Sequence, residues 1–251
     1  MSRSLFTCLL LCLSAALHAA PPAAADAATP ANSATLTDPP SRIQARYDVL
    51  KGGIKIATMK ETFTREHDRY QIESVSQAVW PLTMLKAETI RASSSGTVTA
   101  HGLRPATFDA TRKVDSDRNA RAELDWEKHQ ITLIDRAGRR TAPLPAGTQD
   151  RLSAMYQLMF LPLRDMKVLK FFMTNGSKVD DYSYIVTPGK TVTVPLGTFK
   201  AIYLATPREE NANRTEIWLA AEHANFPYKI VITERDGGQY TQVLTGIDVT
   251  P

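Results

Sequence analysis

The sequence predicts an all-β protein, with more than ten mainly antiparallel strands in a strongly curved sheet or barrel and one short helix packed on or in it. Two observations predict this fold. Short runs of alternating apolar and polar residues recur along the chain, separated by turn residues such as glycine. One segment, residues 148–163, instead spaces its apolar residues as a helix face does. So many strands must curl or close, because a broad flat sheet would leave long unpaired edges.

The chain begins with the features of an export signal. Arg3 precedes an apolar run over residues 5–17, and small alanine residues follow it. The run is shorter than the about 20 apolar residues that cross a bilayer. Residues 1–19 are therefore predicted to be a signal peptide cleaved after Ala19, with residues 23–25 as a second cleavage zone. The expected location is the periplasm, with no transmembrane segment in the mature chain.

Both cysteines, Cys8 and Cys12, lie inside the predicted signal peptide. A lipid anchor on Cys12 is the alternative, but Leu11 stands where a small residue would be needed. Cleavage would leave a mature chain without cysteine, and hence without thiol chemistry or thiolate metal sites.

The composition divides the chain after the predicted signal peptide into two parts. Residues 20–41 are rich in alanine and proline and lack a hydrophobic period, which predicts a disordered leader. Residues 42–251 show no further break and predict a single β-rich domain. The formal net charge is +4 and its two signs are interspersed, so nucleic-acid binding is not expected.

The strands are predicted from alternation and from the turns between them. Gly52 and Gly53, Asn175 and Gly176, and residues 236–238 mark tight hairpins, because glycine and asparagine tolerate positive φ angles. The predicted strands are 43–50, 54–65, 70–79, 88–98, 106–113, 120–126, 130–135, 139–144, 168–173, 178–186, 191–194, 199–206, 214–220, 227–234 and 239–249.

The single helix is predicted over residues 150–161. Its apolar stripe consists of Leu152, Met155, Tyr156 and Met159. Thr148 or Asp150 supplies the N-terminal cap, and Pro162 cannot continue the helix. A lone helix of about three turns is unstable in water, so this one is expected to be buried against the sheet.

No pattern predicts an enzyme or a metal site. The histidines of the predicted mature chain, His67, His101, His129 and His223, are dispersed, without the spacing that places two imidazoles on one metal. Asp150 and Ser153 suggest a catalytic pair, but capping explains Asp150 and small size explains Ser153. Asp180 and Asp181 would point to opposite faces of a strand. We therefore expect a protein without catalytic residues, metal or cofactor.

Two apolar stretches are the candidate ligand site. Residues 80–85 combine a strand breaker with large apolar side chains, and the helix end at 158–163 is similarly apolar. The candidate residues are Trp80, Leu82, Met84, Leu85, Met159 and Phe160. Core packing is the alternative interpretation, since aromatic residues and methionine usually fill interiors. If both stretches line one cavity, a curved sheet could hold an acyl chain there.

Five strings resemble a family of exported bacterial proteins known as domain of unknown function 3108. They are AGTQDRLSAMYQL at 146–158, GLRP at 102–105, LDW at 124–126, VPLGTFKA at 194–201 and EIWLAAEHANFPYKI at 216–230. The resemblance implies an exported β-rich domain with no established activity, and it assigns no catalytic residue.

The leading hypothesis is a soluble, non-enzymatic periplasmic protein that binds a lipid or other amphiphile of the cell envelope within its curved sheet. The alternative is a structural or assembly factor that engages another envelope protein through its surface or a sheet edge. An enzyme acting on cell-wall or glycan material is third, because no motif supports it.

Overall fold

A computed structural model describes residues 40–79, 88–210 and 212–251, and these ranges contain fifteen strands and one α-helix. The helix α1 spans Ser153–Gln157, and 3₁₀ turns follow it at Leu158–Phe160 and Leu163–Asp165. The strands are β1 (Arg42–Lys51), β2 (Ile54–Glu66), β3 (Arg69–Ala78), β4 (Thr89–Thr99), β5 (Gly102–Arg112), β6 (Ala120–Asp125), β7 (Gln130–Asp135), β8 (Gly138–Pro143), β9 (Gln149–Asp150), β10 (Val168–Thr174), β11 (Val179–Val194), β12 (Gly197–Ala205), β13 (Arg214–Ala220), β14 (Phe226–Thr233) and β15 (Gln239–Thr250).

All fifteen strands form one sheet in the order β8-β7-β6-β5-β4-β3-β2-β1-β15-β14-β13-β12-β11-β10-β9. Each half is a meander of consecutive strands, and the two halves meet where β1 pairs with β15. Tyr47 of β1 lies opposite Met59 of β2 on one side and Leu244 of β15 on the other. All pairs are antiparallel except the short contact between β9 and β10. Strands β1 and β15, far apart in sequence, thus form the middle of the sheet.

The sheet is strongly curved. The Gln149 side-chain nitrogen on β9 donates a hydrogen bond of 2.8 Å to the Leu103 carbonyl on β5, although ten strands lie between β5 and β9 in the sheet order. The Arg140 guanidinium on β8 also donates to the carbonyl of Ser177, in the turn between β10 and β11. The two ends of the sheet therefore face each other without pairing as strands. We call this junction, between the β4–β8 region and β9–β10, the seam.

Gly176 shows how closely the two sides of the seam approach. It has a φ of +86°, and a Cβ added to it would lie 2.9 Å from the backbone carbonyl carbon of Ala120 on β6. Glycine is therefore required at this hairpin turn both for its backbone conformation and for its lack of a side chain.

The helix lies inside the curve and divides the apolar interior in two. Leu152, Tyr156 and Phe160 pack into a cluster built mainly by the first half of the sheet. The Tyr156 ring stacks on Phe63 with centroids 5.2 Å apart and meets Phe226 edge-on at 5.5 Å. This contact between a helix ring and rings from both halves of the sheet fixes the position of α1.

The opposite side of the helix packs against the second half of the sheet. Ala154, Leu158 and Leu163 form a separate cluster there with residues such as Leu169 and Leu219. Apolar groups on both sides of a short helix remove most of it from water, which supplies the stabilisation that its length cannot.

The predicted all-β class with one short helix is confirmed, although the length of the helix and several strands differ from the prediction. The α-helix is five residues long, because residues 149 and 150 pair as a strand with β10 and the chain tightens into a 3₁₀ turn after Gln157. The strands predicted at 178–186 and 191–194 are one strand, β11, with an irregularity between Thr187 and Lys190. The two-residue strand β9 is too short for any alternation to reveal.

The predicted signal peptide and most of the predicted leader lie outside the described residues. Within the described part of the chain, no helix is long and apolar enough to cross a membrane.

Candidate functional site

Asp150 anchors the start of α1. One of its carboxylate oxygens accepts hydrogen bonds from the backbone N–H groups of Leu152 and Ser153, at 2.9 and 3.0 Å. The Ser153 hydroxyl oxygen in turn accepts from the Asp150 N–H at 2.8 Å. This reciprocal arrangement satisfies donors that the helix itself leaves free. The sequence indicated Asp150 as a cap, but not that Ser153 completes it.

A second bond ties this cap to the sheet. The Ser94 hydroxyl on β4 donates to the other Asp150 oxygen at 2.5 Å, and the Tyr70 hydroxyl lies 3.2 Å from the Ser94 hydroxyl. Asp150 is fully buried, and desolvation raises its pKa. Because the acid and both serine hydroxyls are engaged in these bonds, their arrangement is explained by anchoring of the helix.

The other end of α1 is clamped to the turn between β4 and β5. The Gln157 side chain accepts from the Leu103 N–H at 2.6 Å and donates to the His101 carbonyl at 2.8 Å. Gly102, with a φ of +102°, permits this contact, because a Cβ there would lie 2.2 Å from the Gln157 side-chain oxygen. The clamp makes the turn one wall of a cleft.

This cleft, which we call the seam cleft, has a volume of about 460 Å³ and lies between α1, β10 and the turns on the far side of the seam. Its apolar lining comes from Leu103, Trp126, Leu158, Leu161, Leu169 and Phe171. Leu169, Lys170 and Phe171 follow one another on β10 and all border the cleft. Because successive side chains of a strand point to opposite faces, it is the edge of β10 that forms this wall of the cleft.

The charged residues around the seam cleft are all basic. Arg104 and Lys170 line it together with His101 and His129, and no acidic side chain is among its described lining residues. The Arg104 guanidinium lies 5.2 Å from the centre of the Trp126 ring, a distance at which a cation and an aromatic face attract. The Trp126 indole N–H is fixed by a bond of 2.6 Å to the Pro105 carbonyl.

One buried polar atom at the seam cleft lacks a partner within the part of the chain that the structure describes. The Gln149 side-chain oxygen accepts no hydrogen bond from the described residues, although Gln149 is 5% exposed and lines the cleft. A buried amide oxygen without a donor is costly. The cleft therefore offers an apolar floor, a basic rim and an acceptor for a ligand or water hydrogen.

A second, smaller space lies on the other face of α1. This inner cavity has a volume of about 130 Å³ and is lined by residues of both sheet halves, including Glu61. Glu61 is buried, and desolvation raises its pKa to about 7. The Tyr156 hydroxyl donates to its carboxylate at 3.4 Å. The cavity is well below the size of a typical drug-sized ligand site.

The ligand-site residues predicted from the sequence fall into two groups, one outside the described residues and one in or near the core. Trp80, Leu82, Met84 and Leu85 lie outside the described residues. Phe160 is buried in the core, and Met159 is half-buried against the same core. Neither residue lines the seam cleft or the inner cavity.

The residues that do line the seam cleft were mostly missed. Trp126 enters the sequence analysis as the end of the predicted strand 120–126, and Arg104, Leu169 and Lys170 have no role in it. The strings GLRP and LDW, which resemble the family, contain Arg104 and Trp126. The sequence therefore pointed to these two residues, but nothing in it indicated that they lie close to β10. No group of three or more possible metal ligands is found among the described residues.

Fold and site together define the class of protein: an open, barrel-like antiparallel sheet that wraps around a short buried helix. The chain belongs to the family described as "protein of unknown function (DUF3108)", which matches residues 44–245, as the resemblance in sequence implied. No curated protein matches the chain.

A solved structure with a similar fold is the "beta-barrel-like protein of domain of unknown function DUF1849" from Brucella abortus. The TM-score is 0.54 at 14% sequence identity, and the match covers 85% of this chain and 99% of that one. At this identity the likeness concerns the fold alone.

Proposed function

We propose that this chain is an exported, non-enzymatic periplasmic protein that binds a negatively charged amphiphile of the cell envelope in the seam cleft. One observation carries the proposal: a cleft of about 460 Å³ combines an apolar floor with charged lining residues that are all basic. Small-molecule sites usually measure about 300–1,000 Å³, with mostly apolar walls and a few polar groups that orient the ligand.

The two parts of the cleft suit the two parts of an amphiphile. Each methylene group removed from water contributes about 0.8 kcal/mol, which Leu161, Leu169 and Phe171 would supply to a hydrocarbon chain. Arg104 and Lys170 are exposed at the same cleft, where they can pair with a carboxylate or phosphate head. A wholly polar ligand would leave the floor unused, and a cationic ligand would be repelled.

Export and the absence of catalysis are supported by the chain itself. The apolar run after Arg3 has the pattern of a signal peptide. The acid and hydroxyl groups nearest the helix, those of Asp150, Ser94 and Ser153, are engaged in anchoring bonds.

The test compares a fluorescent fatty acid with its uncharged methyl ester. Both should bind through their chains, and the acid should bind more tightly. Lys170→Glu should weaken binding of the acid about three- to tenfold, because it replaces attraction with repulsion at a partly solvated site, while leaving the ester unchanged. Lys167→Glu makes the same charge change at an exposed residue outside the cleft lining and should leave both affinities unchanged.

Failure of the wild type to bind either probe would overturn the proposal. If Lys170→Glu and Lys167→Glu changed the affinity for the fatty acid equally, the seam cleft would have no specific site for an anionic head group.

A second candidate function, the assembly factor, is favoured by a separate surface. β9 pairs only with Met173 and Thr174 of β10, so among the described residues the rest of β10 has no strand on that side. Val168 and Phe172 on β10 and the neighbouring Ile185 are 45%, 39% and 50% exposed. An open edge beside an apolar patch can accept a strand from another protein. Two results together would favour this function. A photo-crosslinker placed at Phe172 would capture one envelope protein in cells, and the purified protein would bind neither the fluorescent fatty acid nor its methyl ester.

A further inference from the structure

The inner cavity has features of a ligand site that is independent of the seam cleft. It lies between α1 and strands from both halves of the sheet. Three methionine side chains line it, Met59, Met155 and Met173, and methionine adapts its shape to irregular partners. Its volume of about 130 Å³ is close to the roughly 150 Å³ of an engineered protein cavity that binds benzene. One ring, or a branched group of similar size, therefore fits.

One polar group in the lining is costly without an occupant, and a buried carboxyl shares the lining. The Tyr184 hydroxyl has no hydrogen-bond partner among the described residues, and Tyr184 is 1% exposed. Glu61 is 8% exposed, and its carboxyl is hydrogen-bonded by the side chains of Ser74 and Tyr156, the latter at 3.4 Å. A phenylalanine at position 184 would pack without the penalty of a buried free hydroxyl. A buried carboxyl beside a cavity is a pattern typical of functional sites.

The charges in the lining select against a charged ligand. The Glu61 carboxyl and the Arg151 guanidinium both line the cavity. An ion of either sign would meet one like charge as well as one opposite charge, and it would lose its hydration on entering. An uncharged hydroxyl, in contrast, can both donate and accept a hydrogen bond, which suits a carboxyl and a phenol together.

We propose that the inner cavity binds a small uncharged molecule, of about one ring, that carries a hydroxyl group held by Tyr184 and Glu61. The apolar body of this molecule contacts the three methionines, and its hydroxyl gives the Tyr184 hydroxyl the partner that the described residues do not provide. This site lies on the opposite face of α1 from the seam cleft, so either site can be present without the other.

The test uses phenol, benzene and benzoate as probes of the full exported chain labelled with ¹³C at its methionine methyl groups. Phenol should shift the signals of Met59, Met155 and Met173 and leave Met159 and Met166, which lie outside the cavity lining, unshifted. Benzene should bind more weakly than phenol, because it cannot pair with the polar groups. Benzoate should not bind.

A pair of tyrosine variants isolates the hydroxyl contact. Tyr184→Phe should weaken phenol binding about three- to tenfold and leave benzene binding unchanged. It should also leave the melting temperature unchanged or slightly raised, since it removes a buried hydroxyl without a partner. Tyr182→Phe removes a hydroxyl from the same strand outside the cavity lining and should leave phenol binding unchanged.

A third variant tests the location. Ala92 lines the cavity, so Ala92→Leu should fill it and abolish binding of phenol and benzene together. The proposal is overturned if phenol shifts none of the three methionine signals, which would mean that water alone occupies the cavity. It is equally overturned if Tyr184→Phe and Tyr182→Phe affect phenol binding alike.

Discussion

Glu61 makes a residue-scale prediction about pH. Its pKa rises from 4.5 to about 7 on folding because burial penalises the charged carboxylate. A raised folded-state pKa means that the contribution to stability is complete below about 4.5 and is lost as the pH rises towards 7. At about 1.4 kcal/mol per pH unit, the loss is on the order of 3 kcal/mol. Urea unfolding at several pH values between 4.5 and 7.5 measures it.

Glu61→Gln is the matched control, because it keeps the shape of the side chain without the titration. Asp150 also has a raised pKa and contributes in the same direction in both proteins. The difference between parent and variant therefore isolates Glu61. The prediction would be contradicted if the free energy of unfolding of the parent protein depended on pH no more than that of Glu61→Gln.

Asp150 makes a second prediction at this scale. Asp150→Ala would leave the N–H groups of Leu152 and Ser153 and the Ser94 hydroxyl without their acceptor in the core. Each unsatisfied buried group costs about 1–3 kcal/mol, so we expect a loss of several kcal/mol in the free energy of unfolding. Chemical denaturation measures this loss, and a change below about 1 kcal/mol, the usual worth of one cap, would show that the network matters little.

The role of Asp150 as a cap could be predicted from its residue type and its place before an apolar period. The bond from Ser94 could not, because the two residues are 56 positions apart and nothing in a serine on an alternating strand indicates its partner. Glu61 was missed for the same reason. A charged residue among alternating positions is normally assigned to the solvent side, and here tertiary packing places it inside.

At the scale of elements, α1 is expected to control stability. Met155 is half-buried and packs against both core clusters, and it lines the inner cavity with Glu61. Met155→Asp places a second carboxyl there, at a cost of several kcal/mol against a typical total of about 5–15. Thermal melting measures the effect.

Met155→Leu is the control for this helix variant, since it conserves volume and polarity and should cost less than about 1.5 kcal/mol. If Met155→Asp melted within a degree or two of the parent, α1 would not be the element that holds the interior together.

The turn between β10 and β11 gives a prediction about the seam. Gly176→Ala imposes both an unfavourable φ of +86° and a close approach of the new Cβ to Ala120. Gly237 has a similar φ of +83° with nothing within 4 Å of an added Cβ, so Gly237→Ala imposes the backbone strain alone. We expect the melting temperature to fall further for Gly176→Ala. Equal effects would mean that contact across the seam is dispensable.

At the scale of the whole molecule, the sequence predicted an all-β fold and most of its strands, because alternation is a local property. It did not predict the seam cleft, because Arg104, Trp126 and Lys170 belong to strands or turns that only the curvature brings together. The helix was predicted too long because its apolar residues continue to Leu163, and such a run does not distinguish an α-helix from a 3₁₀ turn.

Export is a prediction about the whole chain. Cleavage after Ala19 would remove the apolar run and both cysteines together. Intact-mass measurement of protein recovered from the periplasm should give the mass of a chain that starts at Ala20. A retained Met1, or an added mass matching lipid on Cys12, would contradict it.

The pairing of β1 with β15 in the middle of the sheet sets the order in which the chain can fold. During synthesis β1 emerges first, and the strand that covers one of its edges is completed only with Thr250. Contacts this distant in sequence form slowly, and an uncovered edge invites wrong partners. A circular permutant that joins residue 251 to residue 40 and opens at the β7–β8 turn would make this pair local and should refold faster in stopped-flow measurements. The native order of the chain thus leaves one edge of β1 uncovered in a newly made molecule until β15 is complete.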